Sequence, residues 1–87
     1  MIHVTQIECL DGYRVRATFS DGATGEYDFA EVIGEDGPMV EPLREPEYFK
    51  QVVIEHGAPT WPNGYDVCPD WLRIEIEKSG HISPSQA

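Results

Sequence analysis

Basic residues are scarce in this sequence. Six Lys and Arg stand against sixteen Asp and Glu, a formal net charge of −10 over 87 residues. Proteins that grip DNA or RNA draw much of their affinity from cations that neutralise phosphates. The longest basic grouping is Arg14-x-Arg16, so direct nucleic-acid binding is not expected, and the same sign of charge disfavours anionic membrane surfaces. Cysteine is scarce too. Cys9 and Cys68 are too few for a disulfide framework and form no C-x-x-C pair. Long hydrophobic runs are missing: nothing approaches the ~18 apolar residues of a membrane span. Met1-Ile2-His3-Val4 lacks the basic stretch and apolar run of a secretory leader. These absences lead us to expect a cytoplasmic setting with both thiols reduced. The patterns of common chemistry are also missing. Neither G-x-G-x-x-G nor a P-loop occurs, and His3, His56 and His81 have no ligand spacing. Glu31…Glu35-Asp36 lacks the rhythm of a calcium loop. Cys68 could act as a nucleophile with His56 or His81 as base, but nothing in the sequence brings either histidine to it. No catalytic residue, metal site or cofactor is expected.

What is present suffices for one domain with one core. The hydrophobic fraction is 40%, including two Trp, four Tyr and three Phe. Tyr13, Val15, Ala17 and Phe19 alternate with polar residues, as do Ala23, Gly25, Tyr27 and Phe29. This period of two predicts half-buried strands. A two-residue Asp21-Gly22 loop would put the two apolar sets on opposite faces. A three-residue Ser20-Asp21-Gly22 loop pairs Phe19 with Ala23, Val15 with Tyr27 and Tyr13 with Phe29, so the sets coincide. Gly22 then takes the left-handed position that such loops need. Arg16 faces Glu26 and Arg14 faces Asp28 on the outer side. The preceding segment, about His3 to Cys9, reads as a further strand closing through Leu10-Asp11-Gly12. That geometry pairs Ile7 with Val15, Cys9 with Tyr13 and Glu8 with Arg14. Ile2 and Val4 have the opposite parity to Ile7 and Cys9, which calls for a bulge near Thr5-Gln6 or an edge position.

Beyond Phe29, Ala30 to Ile33 suits one helical turn ended by Gly34, and Pro46 to Lys50 a short helix with Pro at its first position. The β-branched run within Gln51–Glu55 reads as a strand, turned by Gly57 and partnered by Ala58 to Trp61. Over residues 71–77 the pattern is mixed. Trp71/Ile74 and Leu72/Ile76 fit a helix, and Leu72/Ile74/Ile76 fits a strand. Pro69-Asp70 at its start tips the reading to helix, with Cys68 at the cap and Ser79-Gly80 at the end. The expected architecture is α+β: an N-terminal three-stranded antiparallel meander, a short helix, two further strands and a C-terminal helix. A single domain would occupy residues 1–78, with 79–87 a disordered tail.

The richest polar-aromatic segment runs from Trp61 to Asp66. Trp61, Asn63, Tyr65 and Asp66 form the candidate binding surface, because Trp and Tyr give contact area with a polar handle. The same residue types also serve a rigid structural loop before a helix.

Three segments carry a resemblance. They are Phe19-Ser20-Asp21-Gly22; Pro42-Leu43 with Glu45-Pro46 and Phe49; and Trp61-Pro62-Asn63-Gly64 with Asp66, Pro69 and Leu72. Their order and spacing resemble the bacterial domain of unknown function family 2442, from about Val4 to Leu72. The resemblance implies a small α+β fold and no assigned activity. It also suggests a second small protein encoded nearby, in an arrangement similar to toxin–antitoxin pairs. Some members carry a helix-turn-helix region after this domain, and none is expected in this chain. The leading expectation is therefore a non-enzymatic protein-interaction module, the acidic neutralising partner of a basic protein encoded nearby. Homodimerisation through a sheet edge is a related expectation. The alternative is a small-ligand-binding or enzymatic domain with its site at Trp61–Asp66.

Overall fold

The alternating N-terminal residues fold as predicted into a meander. In the computed structural model, which describes residues 2–35 and 37–83, β1 (Val4–Cys9), β2 (Arg14–Phe19) and β3 (Thr24–Asp28) form an antiparallel sheet. Val15 lies opposite Tyr27, Arg16 opposite Glu26 and Arg14 opposite Asp28. The Phe19 amide donates to the Ala23 carbonyl (2.8 Å) around the three-residue loop, with Gly22 at φ +89°. Val15, Phe19 and Phe29 are buried, and Tyr13 and Tyr27 pack beside them against one core.

The β1–β2 register differs from expectation by two residues. Cys9 pairs with Val15, Ile7 with Ala17 and Glu8 with Arg16, rather than with Tyr13, Val15 and Arg14. The loop is Asp11-Gly12-Tyr13, closed by Leu10 N–H donating to the Arg14 carbonyl (2.8 Å). Tyr13 leaves the β1 side only: its carbonyl still accepts from Phe29 N–H (2.9 Å), its hydroxyl donates to the Arg44 carbonyl and its ring meets Phe49 edge-on at 5.4 Å. A slip of two keeps every side chain on its own face, and it places Arg16 against Glu8 at 3.3 Å. The parity change does occur at a bulge, between Val4 and Gln6, which sends Val4 fully into the core.

α1 (Ala30–Ile33), a 3₁₀ turn (Glu41–Arg44) and α2 (Pro46–Phe49) cross the core with Val32, Ile33, Leu43 and Phe49 turned inward. β4 (Val53–Glu55) and β5 (Ala58–Thr60) form a separate hairpin. It is tied to the sheet by Val4 N–H donating to the Gly57 carbonyl (2.7 Å). Residues 71–77 are helical. α3 (Pro69–Ser79) starts on Pro69 and ends at Gly80 in the left-handed conformation, φ +77°. Leu72 and Ile76 point into the core, while Trp71 and Ile74 stay partly exposed. α3 lies close across β3 because Gly25 has no side chain where Ile76 packs. Beyond α3, β6 (Ile82–Ser83) pairs with Thr24 and Gly25 as a fourth strand. Residues 84–87 lie outside the described residues. Among the described residues no helix is long and apolar enough to cross a membrane.

Candidate functional site

The Trp61–Asp66 loop is held by its own backbone. Trp61 N–H donates to the Tyr65 carbonyl (2.8 Å) and Gly64 N–H to the Trp61 carbonyl (2.9 Å). Trp61 is 1% exposed, and its indole N–H donates to the Phe49 carbonyl at 2.9 Å. The Asn63 amide spans the loop: its oxygen accepts from Tyr65 N–H (3.1 Å) and its nitrogen donates to the Met39 carbonyl (3.0 Å). Trp61 is thus buried, and the half-buried Asn63 is engaged by the loop backbone and Met39. Tyr65 and Asp66 face outward, Tyr65 half-buried and leaning on the Trp61 ring at 5.8 Å. The sequence grouped these four residues on one surface; the fold buries Trp61, leaves Asn63 and Tyr65 half-buried and exposes Asp66.

Tyr65 and Asp66 open onto a trough along α3. A cavity of about 180 Å³ lies between Val32 and Glu35 on one wall and Tyr65, Asp66, Cys68 and Trp71 on the other. Trp71 is 38% exposed and meets Tyr27 edge-on at 5.6 Å. On the far side of that contact, a hollow of about 340 Å³ is bordered by Tyr27, Asp28, Glu31, Glu75 and Lys78. Cys68, which caps α3, and the α3 residues Trp71, Glu75, Lys78 and Ser79 border the two hollows and fall at helical spacing on one face. The electrostatics agree with this layout. Partial burial, then Glu75, Glu31, Asp28 and Glu35, push the Tyr27 phenol above its ordinary value. Partial burial, then Glu35 and Asp66, do the same to Tyr65. Glu35 therefore acts on both tyrosines, one in each hollow. The sequence reading missed Trp71 as a surface residue. The signal was there: once 69–79 is helical and Leu72/Ile76 face the core, Trp71 and Ile74 must turn outward.

The family model described as "Protein of unknown function (DUF2442)" matches residues 4–77. The chain belongs to the DUF2442 family. No curated protein matches it. Among solved structures it is similar to a "putative DNA binding protein" from Nitrosomonas europaea ATCC 19718, at 25% identity and a TM-score of 0.71. The match covers 92% of this chain and 52% of the other, so this DUF2442 chain spans about half the length of that protein.

The cations of this DUF2442 chain are largely occupied. Arg14 pairs with Asp11 (3.3 Å), and Arg16 with Glu8 (3.3 Å) and Glu26 (3.1 Å). Arg73 pairs with Asp21 (3.0 Å) and Glu77 (2.9 Å), and Lys78 with Glu75 (3.3 Å). Arg44 donates to the Ile33 and Glu35 carbonyls (2.9 and 3.0 Å). A further hollow of about 470 Å³ sits on the outer sheet face beside Arg14, Arg16 and Glu26, where both guanidiniums already have carboxylate partners. Cys68 is exposed, and among the described residues it shares no hydrogen bond with His56 or His81. Among the described residues no group of three or more His, Cys, Asp or Glu is arranged to hold a metal ion.

Proposed function

We propose that this DUF2442 chain is a non-enzymatic, cytoplasmic protein-interaction module that holds a basic protein against the acidic flank formed by α1 and α3. The observation that carries the reading is the half-exposed Trp71 set among carboxylates on a chain of net charge −10. Exposed aromatic surface supplies contact area at interfaces, and a field of one sign steers a partner of the other. The arrangement suits the neutralising member of a two-protein, toxin–antitoxin-like pair whose basic partner is encoded nearby. A small-molecule site at Trp61–Asp66 has less support. Trp61 and Asn63 are committed to internal hydrogen bonds, and about 180 Å³ falls below the ~300–1,000 Å³ of ordinary ligand pockets. DNA binding, the property in the name of the Nitrosomonas protein, has little support in this chain because its arginines already have partners.

The test is capture from native-cell extract by the tagged chain at low and at high ionic strength. The reading expects a basic protein at low salt that is released as salt rises. Recovery of no protein at low salt, or of one whose binding ignores salt, argues against it.

A further inference from the structure

Two acidic hollows lie along α3, the first bordered by Trp71 and the second reached through Tyr27, which Trp71 meets edge-on, and their spacing is informative. Cys68 and Trp71 border the first, and Glu75 and Lys78 the second. From Trp71 the helix residues of the second hollow, Glu75, Lys78 and Ser79, lie four to eight positions on, roughly 6–12 Å along the helix at about 1.5 Å per residue. In an extended chain, residues i, i+2 and i+4 share a face, and the first and last lie roughly 13 Å apart. Flexible Arg or Lys stems accommodate the difference of a few ångströms. Each hollow holds carboxylates suited to one cation: Glu35 and Asp66 in the first, Asp28, Glu31 and Glu75 in the second. Between them lies the contact of the Trp71 ring with Tyr27, an apolar surface for the residue midway.

We propose that the trough binds an extended basic segment of the pattern cation–x–apolar–x–cation, with one cation in each hollow and the apolar residue on Trp71. This rests on the interaction-module reading and adds the place and the form of the ligand. Lys78 is the built-in competitor. Its ammonium lies 3.3 Å from Glu75 with the side chain 72% exposed, so it occupies one hollow but can swing away.

The probe is a fluorescein-labelled peptide, Arg-Ser-Leu-Ser-Arg, titrated into the full chain at low salt with anisotropy as the readout. Gln-Ser-Leu-Ser-Gln serves as its uncharged twin. The arginine peptide should saturate one site, and the glutamine peptide should not bind. Trp71→Ala should weaken binding about fivefold through lost apolar contact. Glu31→Gln, at an exposed position, and Glu75→Gln, at a half-buried one, should each weaken it about two- to fivefold. Lys78→Gln should tighten it, while the equally charge-changing Lys50→Gln, on α2's side, should do so much less.

Equal affinity for the two peptides, indifference to Trp71→Ala and Glu75→Gln, or equal effects of Lys78→Gln and Lys50→Gln overturns the proposal. So does a short DNA duplex that displaces the peptide. If native capture recovers a basic protein whose binding is unaffected by Trp71→Ala and Glu75→Gln, the module reading stands and the trough is wrong. If the peptide behaves as expected and capture recovers nothing, the trough stands and the module reading falls.

Discussion

Replacing Trp61 with Phe separates a structural loop from a binding loop. Trp61 is buried to 1% exposure among Phe29, Phe49 and Tyr65. Phe keeps the aromatic contacts but deletes the indole N–H that donates to the Phe49 carbonyl at 2.9 Å. That carbonyl keeps only a 4.0 Å contact from the Cys9 thiol. Leaving a buried acceptor unpaired costs about 1–3 kcal/mol, and the void left by the missing pyrrole edge adds about 1 kcal/mol. The expected loss is thus about 2–4 kcal/mol. A chain of this length has roughly 4–13 kcal/mol in total at ~0.05–0.15 kcal/mol per residue. On a domain this small each kcal/mol moves Tm by about 4–8 °C, so Tm should fall by roughly 8–32 °C. Thermal and urea unfolding followed by circular dichroism measure it, and peptide affinity should be unchanged in the folded variant. A loss under ~0.5 kcal/mol, the ordinary scatter of surface substitutions, would refute the assignment of Trp61 to the core.

Three further outcomes are expected. Gly25→Ala puts a Cβ against the Ile76 methyl and 3.0 Å from the His81 carbonyl. Because Ile76 is fully buried it has little room to yield, so a loss of about 1–3 kcal/mol in urea unfolding is expected. The hydrogen bonds that Arg73 and the Ala23 N–H donate to Asp21 hold its carboxyl below the ordinary 3.8. A depressed pKa gives stability that is present above pH 3.8 and lost as pH falls through the depressed value. Wild type should therefore exceed Asp21→Asn in stability near neutrality, with the gap closing in acid. Burial and the nearby carboxylates raise the phenols of Tyr27 and Tyr65 above the ordinary 10. A raised pKa gives stability that is present below pH 10 and lost as pH rises through the raised value. Tyr65→Phe should flatten the alkaline limb of the stability profile.

The parts of the fold that were legible depend on local rules. The Ser20–Gly22 loop could be solved because only one loop length puts Phe19, Val15 and Tyr27 on a common face. The bulge near Thr5 followed from a parity conflict between Val4 and Ile7. α3 was legible from Pro69-Asp70 and from its end at Ser79-Gly80. The misread loop at Asp11–Tyr13 shows the limit. A slip of two leaves face parity intact, so periodicity could not detect it. The deciding contacts, from Tyr13 to Arg44 and Phe49, span more than thirty residues of sequence. β6 was invisible for the same reason: two residues after a glycine carry no strand signal until β3 offers an edge. At the site, the aromatic-polar composition of Trp61–Asp66 was real, but composition cannot say which side faces in. Asn63 turns toward Met39, 24 residues away. Trp71, read only as part of a helical pattern, proved to be the outward ring beside Tyr27.

The two tryptophans make the most direct test. In a ¹H–¹⁵N spectrum of the labelled chain, their indole N–H groups give two separate signals, one buried on the Phe49 carbonyl and one at the trough. On addition of the Arg-Ser-Leu-Ser-Arg peptide, the Trp71 indole and the amides of Glu35 and Glu75 should move together and saturate, with Trp61 unmoved. Shifts confined to the outer sheet face around Arg14 and Arg16, or none at all, would contradict an acidic α3 flank as the surface that takes a basic partner.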